Sequence, residues 1–154
     1  MHNTNSIRYF AIVMGIVFLL VGVMGFIPAF VTAPTDHYNL SVHANHGYLL
    51  GLFPVNLLHN LVHILFGIWG IGAFFAGWTG ARLFARGVAI IYALLAIMGL
   101  IPALNTTFGL IPIHGNDVWL HAAIALVAAV FGWAVVTSPR TLDTHDTSGT
   151  PHLA

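Results

Sequence analysis

The chain has 154 residues, of which 58% are hydrophobic and 5% are charged, and its four basic and four acidic side chains give a formal net charge of zero. Soluble domains carry about 25% charged residues, so this composition excludes an ordinary soluble domain and indicates an integral membrane protein. A neutral chain offers no basic surface for nucleic acid. The absence of cysteine excludes disulfides and thiolate metal sites.

Four apolar runs are each long enough to cross a membrane, because roughly 20 helical residues span the hydrocarbon core. In chain order they cover about 7–30, 54–77, 81–104 and 118–136. They predict an all-α fold, a four-transmembrane-helix bundle, within a single transmembrane domain over residues 1–137. Residues 138–154 are polar and contain proline and glycine, so we expect a disordered cytoplasmic tail there.

The basic residues indicate the orientation of the bundle. All four are arginines at the same ends of the predicted spans: Arg8, Arg82, Arg86 and Arg140. The positive-inside rule makes that side cytoplasmic. The sequence therefore predicts a multi-pass protein of the cell membrane with both termini cytoplasmic and with external loops over 31–53 and 105–117. The lipid bilayer is its predicted partner, with a homo-oligomer or another membrane protein left open.

The two halves of the chain resemble each other. Residues 8–30 align without gaps on 82–104 at an offset of 74, and the motif Ile-Pro-Ala recurs at the end of both segments. Residues 51–63 align on 109–121 at an offset of 58, which places His63 on His121. The sequence therefore predicts two parallel helix–loop–helix repeats, related by a pseudo-twofold axis along the membrane normal.

Polar side chains are concentrated in the second and fourth spans, where they are costly unless they face the bundle interior. His59 and His63 are four residues apart and share one helix face, and Asp117 and His121 share a face in the same way. Asn56 and Asn60 follow the same four-residue step and are expected to extend the histidine face. The two faces are predicted to point at each other across the bundle.

Three chemical interpretations fit this constellation. In the first, His59, His63 and His121 bind a transition metal, with Asp117 as a fourth ligand or as a partner of a ligand. In the second, His63 and His121 are the axial ligands of a b-type haem. In the third, the imidazoles only hydrogen-bond between helices.

These interpretations leave the function open. The sequence contains no phosphate loop, Ser-His-Asp set or nucleotide fingerprint, so no catalytic residue is predicted. The first expectation is a small, non-enzymatic membrane protein with a structural or interaction role. The alternatives are a metal- or haem-binding redox subunit, and a proton or ion conduit that uses Asp117 with the histidines.

Two sequence stretches carry a resemblance to a known family: HNLVHILFGIWGI, which starts at position 59, and MGLIPALNTTFGLIPIHGNDVWLH, which ends at His121. Together with the four-span plan, they resemble the bacterial membrane family catalogued as domain-of-unknown-function family 4383. The resemblance covers about residues 7–137. It implies the four-span fold and the membrane location, and it implies no activity.

Overall fold

The computed structural model describes residues 5–35 and 38–134, and it is dominated by four long helices. They are α1 (Ser6–Met24), α2 (Leu57–Phe75), α3 (Gly77–Leu100) and α4 (Asn116–Ala129), the last continued by a π-helical turn over Val130–Ala134. All four are long and apolar enough to cross a membrane. The predicted helical bundle is confirmed. The predicted tail 138–154 and Arg140 lie outside the described residues.

Two of the helices end earlier than the sequence predicted. The first and third spans were expected to reach 30 and 104, but α1 ends at Met24 and α3 at Leu100. Ile27 and Ile101 each precede a proline, and both have extended dihedral angles, with φ −97° and ψ 112° or 113°. A proline disfavours the helical conformation of the residue before it, so neither helix continues through its Ile-Pro pair.

α1 packs closely on α2, and α3 packs closely on α4. Glycines allow the α1 and α2 backbones to touch: a Cβ built on Gly70 would lie 2.7 Å from the Cα of Gly15. The two pairs meet through aromatic side chains of α1 and α3. The ring centroids of Phe18 and Tyr92 are 5.3 Å apart, and those of Phe10 and Phe84 are 6.3 Å apart.

The outward faces of the helices are apolar. Leu65 of α2, Leu94 of α3 and Leu126 of α4 are each more than half exposed. In a helix with no water-soluble face, such side chains contact lipid rather than solvent. The chain is therefore a multi-pass membrane protein in contact with the bilayer.

The segment predicted as a plain external loop contains a small antiparallel sheet. Its strands are β1 (Val31–Thr32), β2 (Gly47–Leu49) and β3 (Phe53–Val55), in the order β1-β2-β3. Strands of two or three residues are too short to show an alternating pattern, which is why the sequence did not reveal them. The sheet leads directly into α2, and we call this end of the bundle the sheet end.

The opposite end carries the described arginines, and we call it the arginine end. Arg8 Nε donates to the carbonyl of Phe74, at the end of α2, at a distance of 3.1 Å. Arg82 Nε donates to the carbonyl of Gly132, in the π-helical turn that follows α4, at the same distance. Arg8 and Arg82 are separated by the first repeat offset, and Phe74 and Gly132 by the second. Positions related by the two offsets thus make like contacts at this end.

Candidate metal centre

Three buried side chains with metal-binding groups meet near the sheet end, between α2 and α4. His59 lies in the first turn of α2, Asp117 lies in the first turn of α4, and His121 follows one turn later. One ligand atom from each residue can be chosen so that all three atoms lie within 4.8 Å of one another. The three residues are only 2–4% exposed. The structure thus brings together the two helix faces that the sequence predicted to point at each other.

Asn56 fixes the start of α2 and therefore the position of His59. Its Oδ1 accepts a hydrogen bond from the backbone N–H of His59 over 3.0 Å, as an N-cap does. Its Nδ2 donates to the carbonyls of Val42 and Leu110, at distances of 3.0 and 2.7 Å. One buried amide therefore ties both interhelical connections to the helix that carries the histidines.

The start of α4 is set by a glycine. Gly115 has φ 64° and ψ −128°, a conformation that glycine adopts at little cost and other residues rarely reach. The chain turns there, and Asp117 enters the first turn of α4. A carboxylate is stabilised at this position by the positive end of the helix dipole.

The hydrogen bonding of His59 indicates which ring nitrogen is available. Its Nδ1 lies 3.0 Å from the carbonyl oxygen of Pro54, and because a carbonyl only accepts, Nδ1 carries the hydrogen. Nε2 then carries a lone pair, and it lies 3.8 Å from Oδ2 of Asp117. This distance is too long for a hydrogen bond. Two lone-pair atoms that face each other in this way favour a cation between them.

Two atoms of the cluster have polar capacity that the protein does not use. Oδ2 of Asp117 and Nδ1 of His121 are buried and have no hydrogen-bond partner among the described residues. Native proteins pair the large majority of their buried polar atoms, because an unpaired one costs about 1–3 kcal/mol. Both atoms could therefore bond to a ligand at this position.

His63 lies beside this set of three rather than within it. Its ring stacks on the ring of His59, with centroids 4.7 Å apart, and its Nδ1 donates to the backbone carbonyl of His59 over 3.1 Å. The ring of Phe18 also lies near that of His63, with centroids 5.9 Å apart. Of the four residues predicted to bind metal, the structure gathers His59, Asp117 and His121, and His63, one turn after His59 on α2, lies outside this set.

A cavity of about 150 Å³ adjoins the cluster. His59, His63 and His121 line it together with Tyr92, whose ring meets that of His121 edge to face at 5.0 Å. The remaining lining residues are mostly apolar: Val62, Phe66, Ile91, Leu95, Thr107, Ile111 and Ile113. Sites for drug-sized ligands and cofactors usually occupy about 300–1,000 Å³, so this cavity suits something smaller.

Comparison with known proteins gives one result that bears on identity. The sequence model of the family described as "Domain of unknown function (DUF4383)" matches residues 8–134. The chain belongs to this family. Among curated proteins and among solved structures, neither comparison finds a match. The family resemblance that the sequence motifs indicated is thus confirmed. The description of the DUF4383 family states no activity.

One expectation about the polar face is wrong. Asn56 and Asn60 were predicted to extend the face of His59 and His63, but Asn60 Nδ2 donates to the carbonyl of Gly25, at the end of α1. Consecutive helical residues are about 100° apart around the axis, so Asn60 cannot share a direction with His59. The two asparagines join separate parts of the bundle instead of adding donors to the cluster.

Two buried residues were not predicted from the sequence: Tyr92, which lines the cavity, and His114, three positions before Asp117. Tyr92 lies at the repeat position of Phe18, and His114 at that of Asn56, so the repeat alignment contained the signal for both. His114 is buried and stacks on Tyr38 at 3.8 Å. Three histidines lie in segment 31–53, which was predicted to be an external loop. His43 is exposed, and His46 is half-buried, with its Nδ1 3.1 Å from the carbonyl of Val55. His37 lies outside the described residues.

Proposed function

We propose that this membrane protein binds one transition-metal ion between α2 and α4 through His59, Asp117 and His121. Zinc is the ion that we propose to test first. One observation carries the proposal: three buried donors lie within 4.8 Å of one another, and two of them have polar atoms without a partner in the described chain. His59 adds support, because its Nδ1–H is held by a backbone carbonyl, as in most metal-binding histidines.

The donor set indicates the class of ion. Magnesium and calcium prefer oxygen ligands only, whereas two imidazoles and a carboxylate suit zinc, copper or iron. Zinc binds nitrogen and oxygen at about 2.0–2.2 Å, which sets neighbouring tetrahedral ligands roughly 3.3–3.6 Å apart. The 3.8 Å between His59 Nε2 and Asp117 Oδ2 is close to this separation. Three protein ligands would leave a fourth position for water or for a small molecule in the adjoining cavity.

The same geometry gives less support to the other interpretations. The cavity of about 150 Å³ is small for a haem between His63 and His121. The hydrogen bonds of His59 and His63 stay within their own segment, whereas those between segments come from Asn56 and Asn60. A proton or ion conduit needs a series of polar groups, but the described core beyond the cluster is apolar, and it includes Phe18, Phe84, Ala85 and Val88.

The test is the metal content of the full-length protein, purified in detergent, stripped with a chelator and then titrated with Zn²⁺. We expect one zinc ion per chain, retained after gel filtration. A His43→Gln variant is the matched control, because His43 is an exposed histidine of the sheet-end loop. No retained metal, or a stoichiometry that falls in the His43→Gln variant, would contradict the proposal. A Soret absorption band in the protein as purified would favour haem instead.

We further infer that the two halves are parallel repeats whose pseudo-twofold axis runs through the metal centre. Residues on such an axis contact their own equivalents. The ring centroids of Phe10 and Phe84 are 6.3 Å apart, and those of Phe18 and Tyr92 are 5.3 Å apart. His59 Nε2 lies 3.8 Å from Asp117 Oδ2. Each pair is separated by the offset of its repeat segment. One half thus supplies a histidine where the other supplies a carboxylate.

We expect the arginine end to be cytoplasmic, because the described arginines all lie there and cationic residues near spans favour that side. A reporter fused after position 142 should be active in the cytoplasm, and a tag inserted near Asn39 should be accessible from outside the cell. The opposite labelling would place the metal centre near the cytoplasmic face and would refute this orientation.

A further inference from the structure

Two arginines are held side by side at the arginine end of the bundle. Arg82 and Arg86 are one turn apart on α3. The Nε–H groups of both donate to the carbonyl of Gly132, at distances of 3.1 and 2.9 Å. The guanidinium of Arg82 lies 4.8 Å from the ring centre of Trp78, and that of Arg86 lies 5.2 Å from that of Trp133. These contacts fix the two cations in neighbouring positions despite their mutual repulsion.

No carboxylate of the described chain neutralises this pair. Among residues 5–35 and 38–134 the only acidic side chain is Asp117, which starts α4 at the sheet end. Gly132 lies 15 positions after it, which corresponds to roughly 22 Å along a helix. Within the same ranges the two arginines make no hydrogen bond other than those to Gly132. Within the described residues, their remaining N–H donors therefore have no partner and could bond to an anion.

The arginines line a groove of about 270 Å³ together with Trp78, Thr79 and Leu83. Thr79 is exposed and offers a hydroxyl, and Leu83 is 64% exposed on the apolar outer face of α3. Tryptophan is enriched at the membrane–water interface, so we take the groove to lie at headgroup depth. The groove thus combines two cations and a hydroxyl donor with an apolar side that continues toward the hydrocarbon.

We propose that this groove binds the phosphate of an anionic phospholipid headgroup. Guanidinium groups match phosphate oxygens geometrically and remain charged at all relevant pH values. The phosphate would accept hydrogen bonds from Arg82, Arg86 and the Thr79 hydroxyl, while the acyl chain would run along Leu83. The proposal does not depend on the metal centre, which lies at the other end of the bundle.

The first half of the chain provides an internal control. Arg8 makes the same kind of contacts as Arg82: its Nε donates to the carbonyl of Phe74, and its guanidinium lies 4.8 Å from the ring centre of Phe74. One turn later, however, α1 has Ile12 where α3 has Arg86. A general attraction of cations to an anionic membrane would involve Arg8 equally, whereas a built site requires the pair on α3.

The test measures which lipid the full-length protein retains. The protein would be exchanged into nanodiscs of equal parts phosphatidylglycerol and phosphatidylcholine, extracted, and analysed by native mass spectrometry. We expect the wild type to retain phosphatidylglycerol in preference to phosphatidylcholine. This preference should fall roughly fivefold for each arginine removed, so that the Arg82→Gln/Arg86→Gln variant shows little preference. The Arg8→Gln variant should keep the wild-type preference.

A second variant separates charge from folding. Arg82→Lys/Arg86→Lys removes the same bonds to Gly132 but keeps both charges, so it should retain much of the preference that the glutamine variant loses. Three results would each overturn the proposal: equal retention of the two lipids by the wild type, an equal loss of lipid preference in Arg8→Gln, or displacement of the lipid by inorganic phosphate at about 10 mM. The last result would indicate a site for free phosphate.

Discussion

The Asp117→Asn variant is expected to bind zinc on the order of 100-fold more weakly than the wild type, or not at all. Asparagine has nearly the same volume and can still hydrogen-bond, but it lacks the charge that neutralises the ion in a site that is only 2% exposed. Zinc at 100 times its Kd should stabilise the wild type by about 2.7 kcal/mol. Thermal unfolding in detergent, with and without zinc, should show this stabilisation in the wild type and not in the variant.

The histidines extend this prediction and separate a ligand from an interhelical hydrogen bond. His59→Gln and His121→Gln should also lose zinc, because an amide can replace one imidazole hydrogen bond but cannot hold zinc comparably. His63→Gln should keep one zinc per chain with a smaller loss of affinity, since His63 lies outside the set of three. Unchanged zinc binding in the Asp117, His59 and His121 variants would show that the cluster only packs.

The largest effect on stability is expected at the contact between α1 and α2. A Cβ on Gly70 would lie 2.7 Å from the Cα of Gly15, 2.9 Å from the carbonyl oxygen of Ala11 and 2.9 Å from Cζ of Phe84. Two of these three atoms are backbone, so the helices would have to separate. Overpacking of this kind typically costs about 1–3 kcal/mol, and we expect Gly70→Ala to lower the free energy of unfolding by that amount.

Gly72 provides the matched control, two residues away on the same helix. A Cβ there would meet no atom within 4 Å, so alanine adds no clash. Alanine also has the higher helix propensity, by roughly 0.5–1 kcal/mol. Gly72→Ala should therefore be neutral or slightly stabilising in the same thermal unfolding assay. If both variants lost stability equally, the close approach of α1 and α2 would not be the cause.

The spans and the facing histidines could be predicted because both depend on simple regularities. Length and apolarity decide which segments cross a bilayer, and the four-residue spacing put His59 with His63 and Asp117 with His121. The cost of a polar group in lipid then favoured contact between the two faces. The ring centroids of His59 and His121 are indeed 6.3 Å apart.

The remaining features depend on contacts that are distant in the sequence. α1 stops at Met24 although the apolar run continues to Phe30, because hydrophobicity does not register the effect of Pro28 on Ile27. The short strands are held by pairing across the connection, as between Val31 and Leu49, rather than by a local pattern. Likewise, the choice of three donors out of four depends on how α2 and α4 are placed, which no spacing within one helix determines.

X-ray absorption at the zinc edge of the full-length, zinc-loaded protein tests the central claim most directly. The proposed centre predicts nitrogen and oxygen ligands at about 2.0–2.2 Å, with the multiple-scattering signature of two imidazoles. In Asp117→Asn and His121→Gln, this spectrum should be lost along with the metal. A first shell of oxygen alone, without imidazole scattering, or an unchanged spectrum in both variants would contradict a zinc site formed by His59, Asp117 and His121.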